Sequence, residues 1–255
     1  MTLSEVYSDT KPSKEVVLDK FSYTKVLDQI ADTSPVFRSK IRTLMTFHPP
    51  TALHIGRVGR TLSEVAQAFG LNPFLGAFAG LGHDHGRADQ LAELHRSYIE
   101  PGSILNLHHV EVARTIFSDM AESELSPVSK ADFMAVTMKH HEVFAPNGFA
   151  EPRNRQRIFL GRNLRLPVSE DIRKMQILLS LCDIADRAGW GVESDKTKAS
   201  DEIIFLLKKI TRKSGQLTTK ELEWIKMPIA FIANKITALK MNEIEKDIMV
   251  ILKFS

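Results

Sequence analysis

A chain of 255 residues with 43% hydrophobic and 25% charged residues can bury a core without staples and has the balance of an ordinary globular protein. Its formal net charge of +3 suits an anionic small molecule and is too weak to demand nucleic acid. One cysteine, Cys182, excludes an internal disulfide. The polar start Met1-Thr2-Leu3-Ser4-Glu5 lacks an apolar stretch, which argues against a secretory signal, and no apolar run approaches the roughly 18 residues of a membrane span, so the expected location is cytoplasmic.

Residues 1 to 20 are polar and mixed and read as an irregular arm. Two short amphipathic helices are expected between Phe21 and Thr46, divided at Ser34-Pro35, where serine caps and proline takes the first helical position. Pro49-Pro50 interrupts the pattern, and a helix from Thr51 to Phe69 stops at Gly70. Asn72-Pro73 opens a helix that leads into His83-Asp84, a third runs from His108 to Met120, and Ser126-Pro127 starts a fourth that reaches His140-His141. Ala145 to Pro167, with five arginines, reads as a long loop. Ser169 starts a helix through Cys182 and Asp183, Ser200 opens another, and Thr218 to Glu221 is a capping box for a last helical run. The fold expected is all-α, divided as an N-terminal helical extension (1–48), a functional core (49–192) and a C-terminal helical appendage (193–255).

All nine histidines lie between His48 and His141. Singly, each reads as a core or surface residue. Together, His54, His83, Asp84, His109, His140, His141 and Asp183 fall near helix ends or on apolar faces, where a helical bundle can aim them at one point. Imidazole with carboxylate suits Fe, Mn, Co, Ni or Zn, with Fe or Mn preferred, whereas Mg or Ca would favour oxygen alone. Seven candidates exceed the needs of one ion, so two divalent transition-metal ions sharing a carboxylate is the simplest arithmetic.

The segments Leu53-His54-Ile55-Gly56-Arg57-Val58-Gly59, Gly80-Leu81-Gly82-His83-Asp84-His85-Gly86-Arg87, His109 to Phe117, His140-His141-Glu142 and Ile177 to Asp186 together resemble the HD superfamily of metal-dependent phosphohydrolases. Their order is similar to the HD-GYP branch over about residues 50–190. The resemblance implies an HD-domain helical bundle with His54, His83, Asp84 and Asp183 around one metal and Asp84, His109, His140 and His141 around the other. Asp84 would bridge, and a hydroxide activated by two metals would attack a phosphoester or phosphoanhydride of a nucleotide-like substrate. Arg87 stands where the family has lysine, which suits a phosphate clamp better than an acid, and Arg153, Arg155 and Arg157 are further candidates for substrate contact. Ala145-Pro146-Asn147-Gly148-Phe149-Ala150 replaces the branch's Asp-Gly-x-Gly-Tyr-Pro, which argues against cyclic di-GMP as substrate.

Several readings stay open at this level. His108 rivals the preferred His109, and adjacent His140 and His141 can both bind only if their helix ends there. His85 and His95 read as pocket-edge or surface residues, with His85 also a candidate to position substrate, and His48 reads as structural. Asp186 is either a partner to the ligand set or a solvent-facing carboxylate. Some HD proteins hold a diiron centre on the same residue types and cleave C–C or C–P bonds with oxygen, the main competing reading; a sensor module is a third. A small phosphorylated molecule is the expected partner, with a homodimer possible, and neither membrane nor nucleic acid is favoured.

Overall fold

The computed structural model describes residues 21–95, 103–141, 143–144, 168–189 and 196–252. These are helical throughout, with no strand among them. In chain order the α-helices are α1 (Tyr23–Thr33), α2 (Pro35–Phe47), α3 (Pro49–Ala68), α4 (Pro73–Gly82), α5 (Gly86–Leu94), α6 (His109–Asp119), α7 (Lys130–Thr137), α8 (Glu170–Gly189), α9 (Lys196–Lys213), α10 (Thr219–Ala238) and α11 (Met241–Leu252). None of them is long and apolar enough to cross a membrane.

Local chemistry sets most of the boundaries. Ser34 ends α1 and its hydroxyl accepts from Phe37 N at 3.4 Å to cap α2, with Pro35 in the first turn. Pro49 and Pro50 form the first turn of α3, because a proline lacks the N–H that this turn cannot use anyway. Gly70 stops the chain beyond α3 at φ +70, a left-handed conformation that glycine adopts without penalty. The Thr218 and Glu221 side chains cap each other's backbone N–H groups at 3.2 and 2.7 Å. Several boundaries differ from expectation: α3 begins at Pro49 instead of Thr51, α7 stops at Thr137 before His140-His141, and two starts are displaced. Ser126-Pro127 lies in a turn, and α7 begins at Lys130 under the cap of Ser129, whose hydroxyl accepts from Asp132 N at 3.1 Å. Ser200 sits inside α9 and donates to Asn234 Oδ1 at 2.7 Å, so the helix starts earlier, at Lys196.

Helix α3 is the axis of the bundle. Nearly every face of it is buried, from Ala52 through Ala66, as expected for a helix surrounded by others, and it packs on α2, α4, α8, α10 and α11. One apolar core runs from Val26 and Leu27 on α1, through Phe37, Leu62, Phe78, Phe117, Phe133 and Leu178, to Ile232 on α10 and Ile251 on α11. Within it Phe117 and Phe133 meet edge to face at 4.7 Å, the arrangement that ring quadrupoles favour.

Candidate metal centre

Five elements converge beside this core. Helix α3 carries His54; the turn between α4 and α5 carries His83 and Asp84; α6 begins at His109; α7 stops at Thr137 and the turn after it presents His140 and His141; α8 carries Asp183. Two glycines permit the convergence. A Cβ on Gly80 would stand 2.7 Å from Gly59 N and 2.9 Å from Val58 C, so only glycine lets α4 approach α3 closely enough to face His83 toward His54. A Cβ on Gly86 would run into the His109 carbonyl oxygen, with the carbonyl carbon at 2.7 Å and Ala113 N at 2.8 Å. That close approach of α5 to α6 sets His109 against Asp84.

The ligand-type atoms form two groups that share Asp84. In the first, His54 Nε2 lies 3.2 Å from His83 Nε2 and 3.1 Å from Asp183 Oδ1, His83 Nε2 lies 3.6 Å from Asp183 Oδ1, and Asp84 Oδ2 is 3.9 Å from both imidazoles. In the second, Asp84 Oδ1 lies 2.9 Å from His109 Nε2, which is 3.0 Å from His141 Nε2, and His140 completes a set whose atoms all fall within 4.8 Å of one another. His140 also lies within that distance of His83 and Asp183, so the two groups adjoin. Atoms about 2.1 Å from a common cation stand about 3.0 Å apart across a right angle and about 3.4 Å across a tetrahedral one. The observed spacings centre on these values.

Hydrogen bonding tests whether the residues fit a cation. His83 Nδ1 donates to Gly80 O at 2.8 Å and His140 Nδ1 to Thr137 O at 2.6 Å. Carbonyl oxygens only accept, so both rings carry the proton on Nδ1 and turn the Nε2 lone pair inward. His54 Nδ1 faces Asp186 Oδ2 at 2.7 Å in the same sense. Lone pairs therefore confront lone pairs, and among the described residues Asp84 Oδ1, Asp183 Oδ1 and His140 Nε2 are buried without a hydrogen-bond partner. Nitrogens do approach the two carboxylate oxygens within 2.9–3.1 Å, but not at hydrogen-bonding angles. A buried cluster of acceptors is stabilised by a cation and by little else. The residues fit a metal.

The titration behaviour follows the same electrostatics. Burial opposes a charge on His54, yet the adjoining carboxylates of Asp183 and Asp186 outweigh it and push its pKa up to about 9, so a cation taking up Nε2 would have to displace a proton there. Burial alone would raise Asp84 and Asp183, but His109 and His83 hold the first, and His54 and His83 the second, well below the usual carboxylate range. Burial pushes His140 down to about 3 and lowers His109 and His141 as well, a direction that favours the neutral, ligating form of each ring.

Around this set stand groups that sequence reasoning left open or missed. Asp186 is buried, not solvent-facing: it accepts from His54 and takes two hydrogen bonds from Arg57, at 2.6 Å from Nε and 2.8 Å from Nη2. Arg57 is on α3 one turn past His54, the signal that places both on one face. Arg187 follows Asp183 by one turn of α8, the spacing that places both on one face. Its Nε lies 2.9 Å from Asp183 Oδ1 and its Nη2 3.6 Å from Asp84 Oδ2. Arg87 Nε donates to Asp84 Oδ2 at 2.9 Å.

The remaining histidines divide clearly. His109 and not His108 reaches Asp84; His108 caps α6, accepting from Val110 N at 3.3 Å while Glu111 accepts from its N–H. His48 caps α3 through Thr51, and His95 is exposed and stacked on Phe47 at 4.6 Å. His85 does not lie at a pocket edge. It is fully buried against Phe37 at 4.5 Å and Phe117 at 5.7 Å, because the turn after Asp84 sends it into the aromatic core. Burial, with Lys40 adding to it, pushes its pKa down to about 3. Arg153, Arg155 and Arg157, and the Ala145–Pro167 loop, lie outside the described residues. A groove of about 560 Å³ between α2, α5 and α6, lined by Lys40, Asp89, Leu107 and Ile116, contains none of the candidate ligands. No family model, curated protein or solved structure matches the chain.

Proposed function

We propose that the chain is a metal-dependent phosphohydrolase of the HD type, acting on a phosphoester or phosphoanhydride of a nucleotide-like substrate. The observation that carries the reading is the division of Asp84: Oδ2 faces His54 and His83, Oδ1 faces His109, and each side has its own imidazoles with lone pairs turned inward. A carboxylate buried to 1% exposure and flanked in this way suits a bridge between two divalent ions. The motif order of the HD superfamily adds to this, as a resemblance.

When bound, two such ions supply an acidified water at neutral pH and positive charge for the attacked phosphoryl group. The chain's own residues do the rest. Asp186, itself held by Arg57, engages Nδ1 of His54, so that Nε2 is the atom offered to a metal. Thr137 and Gly80 carbonyls do the same for His140 and His83. Arg87, 37% exposed, spends Nε on Asp84 and keeps its terminal N–H groups for phosphate oxygens.

The test is anaerobic purification, metal content per chain, and a screen of nucleotides, cyclic dinucleotides and phosphonates with and without oxygen. Metal-dependent phosphate release independent of oxygen is the expected result. Folded protein that takes up no transition metal overturns the reading, and oxygen consumption coupled to C–C or C–P cleavage replaces it with the diiron alternative. Asp84→Ala is expected to remove metal and activity together with helix content retained.

A further inference from the structure

The centre is sealed on most sides: His83 is 0% exposed and Asp84 1%, while His54, His109, His140 and Asp183 are also buried. Among the described residues His141 is half-buried, and two charged side chains beside the centre are exposed further. Arg87 from the start of α5 and Arg187 from the end of α8 are 37% and 44% exposed, and both reach the same atom, Asp84 Oδ2, at 2.9 and 3.6 Å. Guanidiniums from two different helices thus meet where the buried carboxylate cluster opens to solvent.

The donor set gives this meeting a chemical sense. Its carboxylates are Asp84 and Asp183; the other ligand candidates are imidazoles, which bind a metal in their neutral form, and Asp186 is already matched by Arg57. Two divalent ions would bring twice the charge of those carboxylates, leaving an excess of about two positive charges before the arginines are counted. Cations that take up the Asp84 and Asp183 oxygens compete directly with Arg187 Nε and Arg87 Nε for them. The guanidiniums then need another anion, and planar forks of N–H donors match phosphate oxygens two at a time.

We propose that Arg187 and Arg87 form a two-guanidinium mouth that binds the phosphoryl group of the substrate, and that the positive excess behind it selects a terminal phosphate carrying two negative charges over a singly charged diester. The inference rests on the metal-dependent reading above and assigns to Arg187 a substrate-binding role.

The experiment uses the full chain loaded with Mn²⁺ or Zn²⁺, with metal content measured by mass spectrometry and fold checked by circular dichroism. Inorganic phosphate and dimethyl phosphate are titrated calorimetrically into the unsubstituted protein and into Arg187→Gln, Arg87→Gln, the double variant and Arg187→Lys. Expected are phosphate binding at least about tenfold tighter than dimethyl phosphate, a loss of about tenfold or more in phosphate affinity in each glutamine variant, a greater loss in the double variant, and unchanged metal content. Arg187→Lys keeps the charge without the fork and is expected to fall between. Phosphate affinity within about twofold of the unsubstituted protein in Arg187→Gln overturns the proposal; so does tighter metal binding with phosphate unchanged, which would make Arg187 a charge partner of Asp183 alone. Loss of metal in both Arg187 variants also overturns it. Metal uptake without phosphate binding defeats this proposal and leaves the metal reading intact, whereas no metal uptake at all defeats both.

Discussion

Replacing Gly86 by alanine adds one methyl group where the helices α5 and α6 touch. Its carbon would stand 2.7 Å from the His109 carbonyl carbon and 2.8 Å from Ala113 N, against an ordinary carbon contact of about 3.5–4.0 Å. These obstacles and the still nearer His109 carbonyl oxygen are backbone, so no side chain can swing away, and the helices must part by more than about 1 Å. Overpacking of this kind costs about 1–3 kcal/mol, or roughly 2–12 °C in melting temperature at this chain length. The same displacement acts on the His109–Asp84 approach of 2.9 Å, and a metal site tolerates about 0.5 Å of error. Thermal denaturation with chelator and with added Mn²⁺ separates the two effects: Gly86→Ala is expected to melt early in chelator and to gain less than the parent from metal. Gly215, where an added methyl carbon would meet nothing within 4 Å and φ is not positive, is the control, and Gly215→Ala is expected to change stability by less than about 0.5 kcal/mol. A Gly86→Ala protein that melts with the parent and gains as much from metal would refute the argument that helix contact sets this ligand.

Asp186→Asn removes the buried carboxylate that accepts two hydrogen bonds from Arg57 and orients His54; a loss of about 3 kcal/mol in chemical denaturation and about 10–100-fold in metal affinity is expected. Cys182 is fully buried, and burial, together with Asp186 and Asp183, pushes its thiol well above the ordinary range, so a thiol reagent is expected to leave the native chain untouched and to label one site in denaturant. Tyr23 is raised well above its ordinary range by burial and by Asp247, and its hydroxyl donates to Gly56 O at 3.4 Å. A raised folded-state pKa contributes stability that is complete below about pH 10 and is lost as pH rises beyond it; Tyr23→Phe is expected to flatten that alkaline decline in urea-denaturation midpoints.

The sequence by itself settled what depends on neighbours a few residues apart. Ser34-Pro35, Asn72-Pro73 and the Thr218–Glu221 box mark helix starts because a cap acts within one turn. The candidate ligands were legible for a different reason: few side-chain types can hold a transition metal, and the histidines among them crowd one third of the chain. Local reading failed where two signals competed, as when Ser126-Pro127 outweighed Ser129, and where a short helix such as α5 had no cap to announce it. Only the tertiary structure decided which oxygen of Asp84 faces which imidazole, that His85 turns into the core, and that Asp186 and Arg57, separated by 129 positions, clamp each other beside His54. Arg187 belongs with them. Those outcomes depend on how closely helices approach and at what angle, and here that approach is set by two glycines whose missing side chains leave no trace in any periodic pattern.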